Sequence, residues 1–290
     1  MLESLGLQSS LPDQVVVVAS GSEESREVVN QFSSLNIQYI HLSRAGTSWQ
    51  RNAGLKVVDP ASTLVGFLDD DIVLEPDALE AMLAFWEEAP ADVGGAGFNF
   101  RDILVPETER KWKLRPIIWL YNAFMLRNER KGRVLRSGFP TPIFPVSENT
   151  YTDWLEALFV FRKEVTERFQ FDDFFAGYSY LEQVDFSYTV SRKYKLCVVC
   201  DARMTHYSDH IRNSYLLGKM QVINRIHFVR KHEELSSPRC YFTLMLHMFF
   251  NVAVGVLLRD MGYFKRAWGN CVGLCQVAVG RMAPVAGDIK

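Results

Sequence analysis

One stretch constrains this 290-residue chain more than any other: the apolar run Leu64 to Leu68, which passes without a break into Asp69, Asp70 and Asp71. A short apolar run of this kind reads as a buried strand. Three adjacent carboxylates at its end raise one another's pKa unless a cation neutralises them. Hard oxygen donors suit Mg2+ or Mn2+, cations that typically bridge one or two carboxylates to substrate phosphates. In extended backbone Asp69 and Asp71 face one way and Asp70 the other, so an Asp-x-Asp pair serves metal and ligand together. A solvated turn carries the same letters, and the triplet alone does not decide between the two.

The surrounding pattern supplies the context. Val15 to Ala19, Ile37 to Leu42, Val93 to Phe100, Leu158 to Phe161 and Lys195 to Val199 read as further strands. Helices are expected through about Gln31, over Trp49 to Val58, and after Pro76, where Leu79, Met82, Leu83 and Trp86 make one apolar face. Two more are expected over Arg162 to Arg168 and Glu182 to Lys193. Such alternation predicts an α/β fold, with a mostly parallel central sheet flanked by helices and ligands bound beyond the carboxyl ends of the strands. Asp69 to Asp71 occupy such an end. Residues 101–150 break the rhythm with many basic residues, aromatics and five prolines. They suit a loop or helical insertion beside the site, or equally a solvated face.

Charge and cysteine usage exclude other classes. A formal net charge of −2 argues against bulk nucleic-acid binding, but it conceals an asymmetry. Residues 1–210 carry 21 basic and 30 acidic side chains, and residues 211–290 carry 11 and 4. The five cysteines, odd in number and absent before Cys197, do not form a secreted disulfide framework, and a reducing cytoplasm fits them better. The pair Cys197 and Cys200 lies in an apolar strand-like run, where packing outweighs metal or redox chemistry. The N-terminus has no basic leader followed by an apolar run, so export is not expected.

Toward the end, Tyr241 to Leu258 is uncharged for eighteen residues, and a second apolar stretch follows at Ala267 to Gly280. The first is at the lower limit for a spanning helix, and the second is too short. With His247 and Asn251 inside the first and basic residues around both, helices lying on a membrane surface are expected. A helical dimer interface or core is the alternative. The expected division is residues 1–235 as the α/β domain and 236–290 as a C-terminal apolar and basic helical segment. The expected location is cytoplasmic, peripheral at the inner face of the cell membrane.

Several of these pieces occur together in an order that resembles glycosyltransferase family 2, whose fold is GT-A, a Rossmann-like α/β architecture. They are GTSWQRNAG at Gly46 to Gly54, FLDDD at Phe67 to Asp71, and Arg162 in a phenylalanine-flanked strand. FDDFF at Phe171 to Phe175, LEQVDFSYTVSR at Leu181 to Arg192 and DARMTH at Asp201 to His206 complete the series. The resemblance implies a nucleotide-diphospho-sugar donor, a glycan or lipid-linked acceptor and no nucleic acid. It implies that Arg51, Asn52, Asp69 and Asp70 bind the donor, and that Asp71, Asp69 and His206 hold the metal. A lone histidine after a strand is as often structural. The expected chemistry is one in-line displacement with inversion, the cation stabilising the departing diphosphate while a carboxylate deprotonates the acceptor.

Two departures from the family pattern matter. The position of the usual carboxylate base holds Gln183, whose amide cannot accept that proton, leaving Glu182 and Asp185 as nearby carboxylates. Residues 2–10 resemble only the end of the family's first helix, so its first strand is expected to be missing, leaving an unpaired edge or a gap in the sheet. A donor-binding protein without turnover therefore stays open beside the enzyme. A phosphotransferase with an Asp-x-Asp nucleophile fits less well, since the lysine it needs is not evident.

Overall fold

The computed structural model describes residues 1–21, 24–104, 111–124, 131–207 and 213–287. It comprises two compact units: Met1–Val105 with Ile143–Asp173 and Glu182–Ser208, and Pro106–Pro142 with Phe174–Leu181 and Asp209–Lys290. The second unit thus begins before the expected boundary at 235.

The first unit opens with α1 (Leu2–Gly6), β1 (Val15–Ser20), α2 (Glu24–Val29), β2 (Ile37–Leu42) and α3 (Thr47–Leu55). Next come β3 (Leu64–Leu68), β4 (Ile72–Leu74), α4 (Ala78–Glu88) and β5 (Val93–Leu104). After the excursion into the second unit follow β6 (Thr150–Thr152), β7 (Leu158–Arg162), α6 (Lys163–Arg168), α7 (Glu182–Ser191) and β8 (Lys195–Tyr207). The strands at Ile37 and Leu64 match the sequence expectation residue for residue.

The α/β class and the central sheet flanked by helices hold, but the sheet is in two pieces and its directions are mixed. Among the described residues β1 and β2 pair in parallel with each other only, while the six-stranded sheet has the order β3-β7-β5-β8-β4, with β6 on β8. Within it only β5 and β8 are parallel. The expectation of a mostly parallel sheet is corrected here: β7 inserts antiparallel between β3 and β5, and β4 and β6 each pair antiparallel with β8.

β5 and β8 also continue past the end of β7, with ladder irregularities at Phe98/Asn99 and Phe100/Asp102, and β4 pairs with that continuation through Ile72↔His206 and Leu74↔Met204. Asp69 to Asp71 are therefore the three-residue link between a strand on the main sheet and one on its extension.

Apolar side chains fill both faces. Ile72, Met82, Phe98, Phe100, Leu158 and Met204 are buried in one cluster. On the α7 side, Phe67 lies 5.0 Å from Phe171, which stacks on Phe186 at 4.1 Å. Gly95 is required beneath this layer, since a Cβ there would run into the Phe161 ring. Arg162 ties the sheet to α4: its Nε donates to Val93 O at 2.9 Å and its guanidinium lies over Trp86.

The second unit contains α5 (Lys111–Phe124), α8 (Ser214–Lys231), α9 (Ser237–Leu258) and α10 (Met261–Ala278). α8 and α10 approach so closely that a Cβ at Gly269 would strike the Tyr215 carbonyl. Asn270 donates to Gly218 O at 2.8 Å and accepts from Asn251 of α9 at 3.1 Å. Among the described residues α9 is the one helix long and apolar enough to cross a membrane by length and composition. Parts of the basic, proline-containing stretch expected as loop or insertion, residues 105–110 and 125–130, lie outside the described residues. Residues 111–124 between them are helical.

Candidate active site

β3 carries the carboxylates to the site by continuing its ladder one step: the Asp69 N–H donates to Ala157 O at 3.2 Å, just beyond the Leu68↔Leu158 pair. At the other end of the link, Tyr207 N donates to Asp71 O at 2.8 Å, fixing Asp71 against β8. Asp70 between them is exposed. Asp69 and Asp71 then enter different surroundings.

Asp69 is held from two sides. Arg51 Nη2 donates to Oδ1 at 2.6 Å and Gln183 Nε2 donates to Oδ2 at 2.9 Å. Arg51, 8% exposed on α3, also pairs through Nη1 with Glu182 Oε1. Its guanidinium lies 5.4 Å from the Phe159 ring and 5.2 Å from Phe171, within cation–π range of both. The guanidinium expected to bind the donor is engaged with two carboxylates. Burial pushes the Glu182 carboxyl up to about 7, against the opposing pull of Arg51 and with the nearby charge of Asp69 adding to the rise. Glu182 Oε2 is buried with no hydrogen-bond partner among the described residues.

Gln183 closes a ring. Its Oε1 accepts from Ala157 N at 2.8 Å, while its amide nitrogen donates to Asp69, whose own N–H returns to Ala157 O. Ala157 has φ 60°, a left-handed conformation uncommon for a residue with a side chain. Leu158 N donates to Glu156 O at 2.7 Å across it. The ring thus pins a tight, strained turn whose first residue, Glu156, is exposed.

Asp71 faces His206. The register Ile72↔His206 brings them together, and His206 Nε2 lies 3.2 Å from Asp71 Oδ1. The hydrogen bond to Asp71 raises the His206 pKa, outweighing burial, and the charges of Asp71, Glu156 and Asp69 act in the same direction. Among the described residues no group of three or more His, Cys, Asp or Glu is arranged to hold a metal. Asp71 and His206 supply a hard oxygen and an imidazole side by side. Two such donors fit a cation that takes its remaining ligands from phosphate and water, as Mg2+ and Mn2+ do.

The other expected residues are placed differently. Asn52 donates to Phe171 O at 2.8 Å, accepts from Phe171 N at 3.0 Å and reaches Asp173 at 3.2 Å, holding that loop. Asp185 is buried at 1% exposure and Glu182 at 4%, so neither presents a carboxylate to solvent. Cys197 is a buried free thiol pushed up to about 11 by burial, consistent with packing. Sequence reasoning missed Glu156, because neither a motif nor a periodicity marks a residue before a left-handed alanine.

The model of the family described as glycosyl transferase family 2 matches residues 1–145. No curated protein matches the chain. Among solved structures it is similar to S. aureus TarS, at 12% identity and a TM-score of 0.51, covering 92% of this chain and 51% of that one. The mannosyltransferase PcManGT from Pyrobaculum calidifontis, in complex with GDP-Man and Mn2+, is similar at 15% identity and a TM-score of 0.51, covering 96% and 74%. GalNAc-T7 with UDP, GalNAc and Mn2+ is similar at 13% identity and a TM-score of 0.51, covering 72% and 40%. At these identities the likeness is one of fold, and that fold is GT-A. The chain spans about half the length of the TarS chain it matches.

Proposed function

We propose that this chain, which belongs to glycosyltransferase family 2, transfers a sugar from a nucleotide-diphospho-sugar to an envelope polysaccharide, lipid-linked or other glycan acceptor with inversion, using Mg2+ or Mn2+. The reading is supported above all by the link Asp69 to Asp71 at the end of β3, with Arg51 ordering its first carboxylate and His206 beside its last. Asp71 and His206 would hold the cation, and Asp69 would face the nucleotide. When bound, the cation supplies charge neutralisation to the departing diphosphate. Arg51 and Gln183 keep the Asp69 carboxylate in one orientation before the donor arrives, which lowers the ordering cost of binding. Glu182 and Asp185 are buried and Gln183 is an amide, so in this reading the acceptor proton goes to Glu156, the exposed carboxylate on the turn beside Asp69.

Similar folds have been solved with GDP-Man and Mn2+ and with UDP, GalNAc and Mn2+, which suggests UDP- and GDP-sugars as the first donors to test. The measurement is a thermal-shift screen of those donors with and without Mn2+, followed by an assay of donor consumption. Stabilisation that requires both Mn2+ and donor, and that Asp71→Asn and His206→Ala abolish, supports the reading. Donor binding that ignores the metal and both substitutions defeats it.

A second reading has one observation in its favour: Gln183, at the position of the family's base, is bonded at both ends of its amide. The chain would then bind a sugar nucleotide without turning it over. If wild type and Gln183→Asp both bind a donor and neither consumes it, with a set of glycan acceptors present, this second reading stands.

A further inference from the structure

α9 buries one face and leaves the other bare. Cys240, Thr243, Leu244, Asn251, Val254 and Gly255 are buried. On the opposite side Phe242, Met245, Phe249, Val252 and Val256 are exposed, Phe249 at 63% and Val256 at 62%. Their spacing of three, four, three and four residues sets them in one line along the helix, about 21 Å long at about 1.5 Å per residue. The line ends in arginine both ways: Arg239 three residues before it and Arg259 three residues after, each exposed. No aspartate or glutamate occurs in Ser237–Leu258. Beside it α5 packs through Tyr121, which stacks on Phe250 at 4.2 Å and bonds His247 at 2.7 Å, and carries Trp119 and Phe124 exposed at 66% and 61%.

We propose that this face docks on an anionic phospholipid surface, with α9 lying in the plane of the membrane. A helix with one apolar face, aromatic residues on it and basic residues at its edges buries that face about 5–10 Å into the headgroup and acyl boundary. Arg239 and Arg259 complement anionic headgroups at the two ends of the stripe. Spanning is disfavoured because the opposite face is committed: Asn251 bonds Asn270, which bonds Gly218, and those groups hold α9 to the rest of the second unit. A second copy of the chain is disfavoured by charge. Stripe against stripe in parallel sets each arginine against itself, and the antiparallel arrangement sets Arg239 against Arg259. The neighbouring Asp260 carboxylate caps α10 through Gly262 N at 2.7 Å.

The test is flotation of the intact chain with vesicles of phosphatidylcholine mixed with phosphatidylglycerol and with phosphatidylcholine alone. The chain is expected to float with the mixed vesicles, less with the neutral ones, and less as salt rises. Phe249→Glu and, separately, Val252→Glu should each lower partitioning about tenfold, since both remove apolar contact and bring a charge to the boundary. Arg239→Gln and Arg259→Gln should each lower partitioning about fivefold on mixed vesicles and leave neutral ones unchanged. Both glutamate variants lie on the exposed face, so unchanged thermal melts are expected. Three results overturn the proposal: wild type that stays soluble with mixed vesicles, partitioning unchanged by both glutamate variants, or a wild-type dimer that either variant converts to monomer.

Discussion

Gln183 donates through Nε2 to Asp69 Oδ2 at 2.9 Å, so the side chain that the sequence resemblance sets at the position of a carboxylate base is a support for the Asp69 carboxylate. A carboxylate in its place would face Asp69 with like charge and no proton to donate. Gln183→Glu, nearly isosteric, should therefore destabilise the fold by about 2 kcal/mol at pH 8 through the lost bond and the repulsion. Protonation restores a donor, so the loss should shrink as pH falls toward 5. Urea unfolding of both forms at the two pH values checks this. Equal stability of the two forms at pH 8 would mean that the bond contributes nothing.

Arg51 joins Asp69 and Glu182, and its removal leaves Glu182 buried with no opposite charge in contact among the described residues. Arg51→Ala is expected to cost about 3 kcal/mol, the lower end of the range for breaking a buried pair, because Asp69 keeps some solvent. Arg51→Lys should recover part of that, since one ammonium cannot reproduce a fork directed at two carboxylates between two aromatic rings. Denaturant midpoints for the three proteins give the ordering.

The raised Glu182 pKa makes a signed prediction. Its carboxyl titrates near 7 in the fold and near its ordinary 4.5 when unfolded, so between those values the native state holds a proton that the unfolded chain has released. Stability from this group therefore falls as pH rises from about 4.5 to 7, with a slope no steeper than about 1.4 kcal/mol per pH unit. Glu182→Gln removes the titration. Subtracting the variant's stability curve from that of wild type cancels the other groups and should leave a negative slope in this window. A flat difference would mean that Arg51 keeps the carboxylate ionised throughout.

The parts of the site carried by local pattern were legible in the sequence, and the parts carried by pairing were not. Leu64 to Asp71 announces a buried strand ending in carboxylates, because composition changes abruptly there. Asp71 meets His206 only through β4, and three residues are too few to show an alternation. Gln183 reads in the sequence as the absence of a base; its two-way bond depends on Ala157, 26 residues earlier, adopting a left-handed turn. α8 gave no one-sided signal because Leu217, Met220, Val222, Ile223, Ile226 and Phe228 are buried around much of its circumference. The parallel sheet expected from alternating strands and helices failed at β7, because alternation along the chain does not encode that a later strand inserts antiparallel between two earlier ones.

The proposed role of Glu156 as acceptor of the proton, with an amide at 183, is open to a direct test. Glu156 sits on the turn that Gln183 pins, open to solvent on one side, while the surrounding site desolvates its carboxyl and raises its pKa, the charge of His206 opposing that rise and the charge of Asp69 adding to it. A general base contributes about a hundredfold or more to rate, whereas a residue that only shapes the turn would alter stability and donor affinity together. Glu156→Gln keeps the size and removes the basicity. With whichever UDP- or GDP-sugar the wild-type chain consumes, single-turnover transfer should slow by about a hundredfold or more while donor affinity and melting temperature stay as in wild type. Asp at 156, one methylene shorter, should recover part of the rate, with the same pH dependence as wild type on its acidic limb. Transfer at the wild-type rate by the glutamine variant would remove Glu156 from the chemistry and return the proton to a residue that the fold has yet to expose.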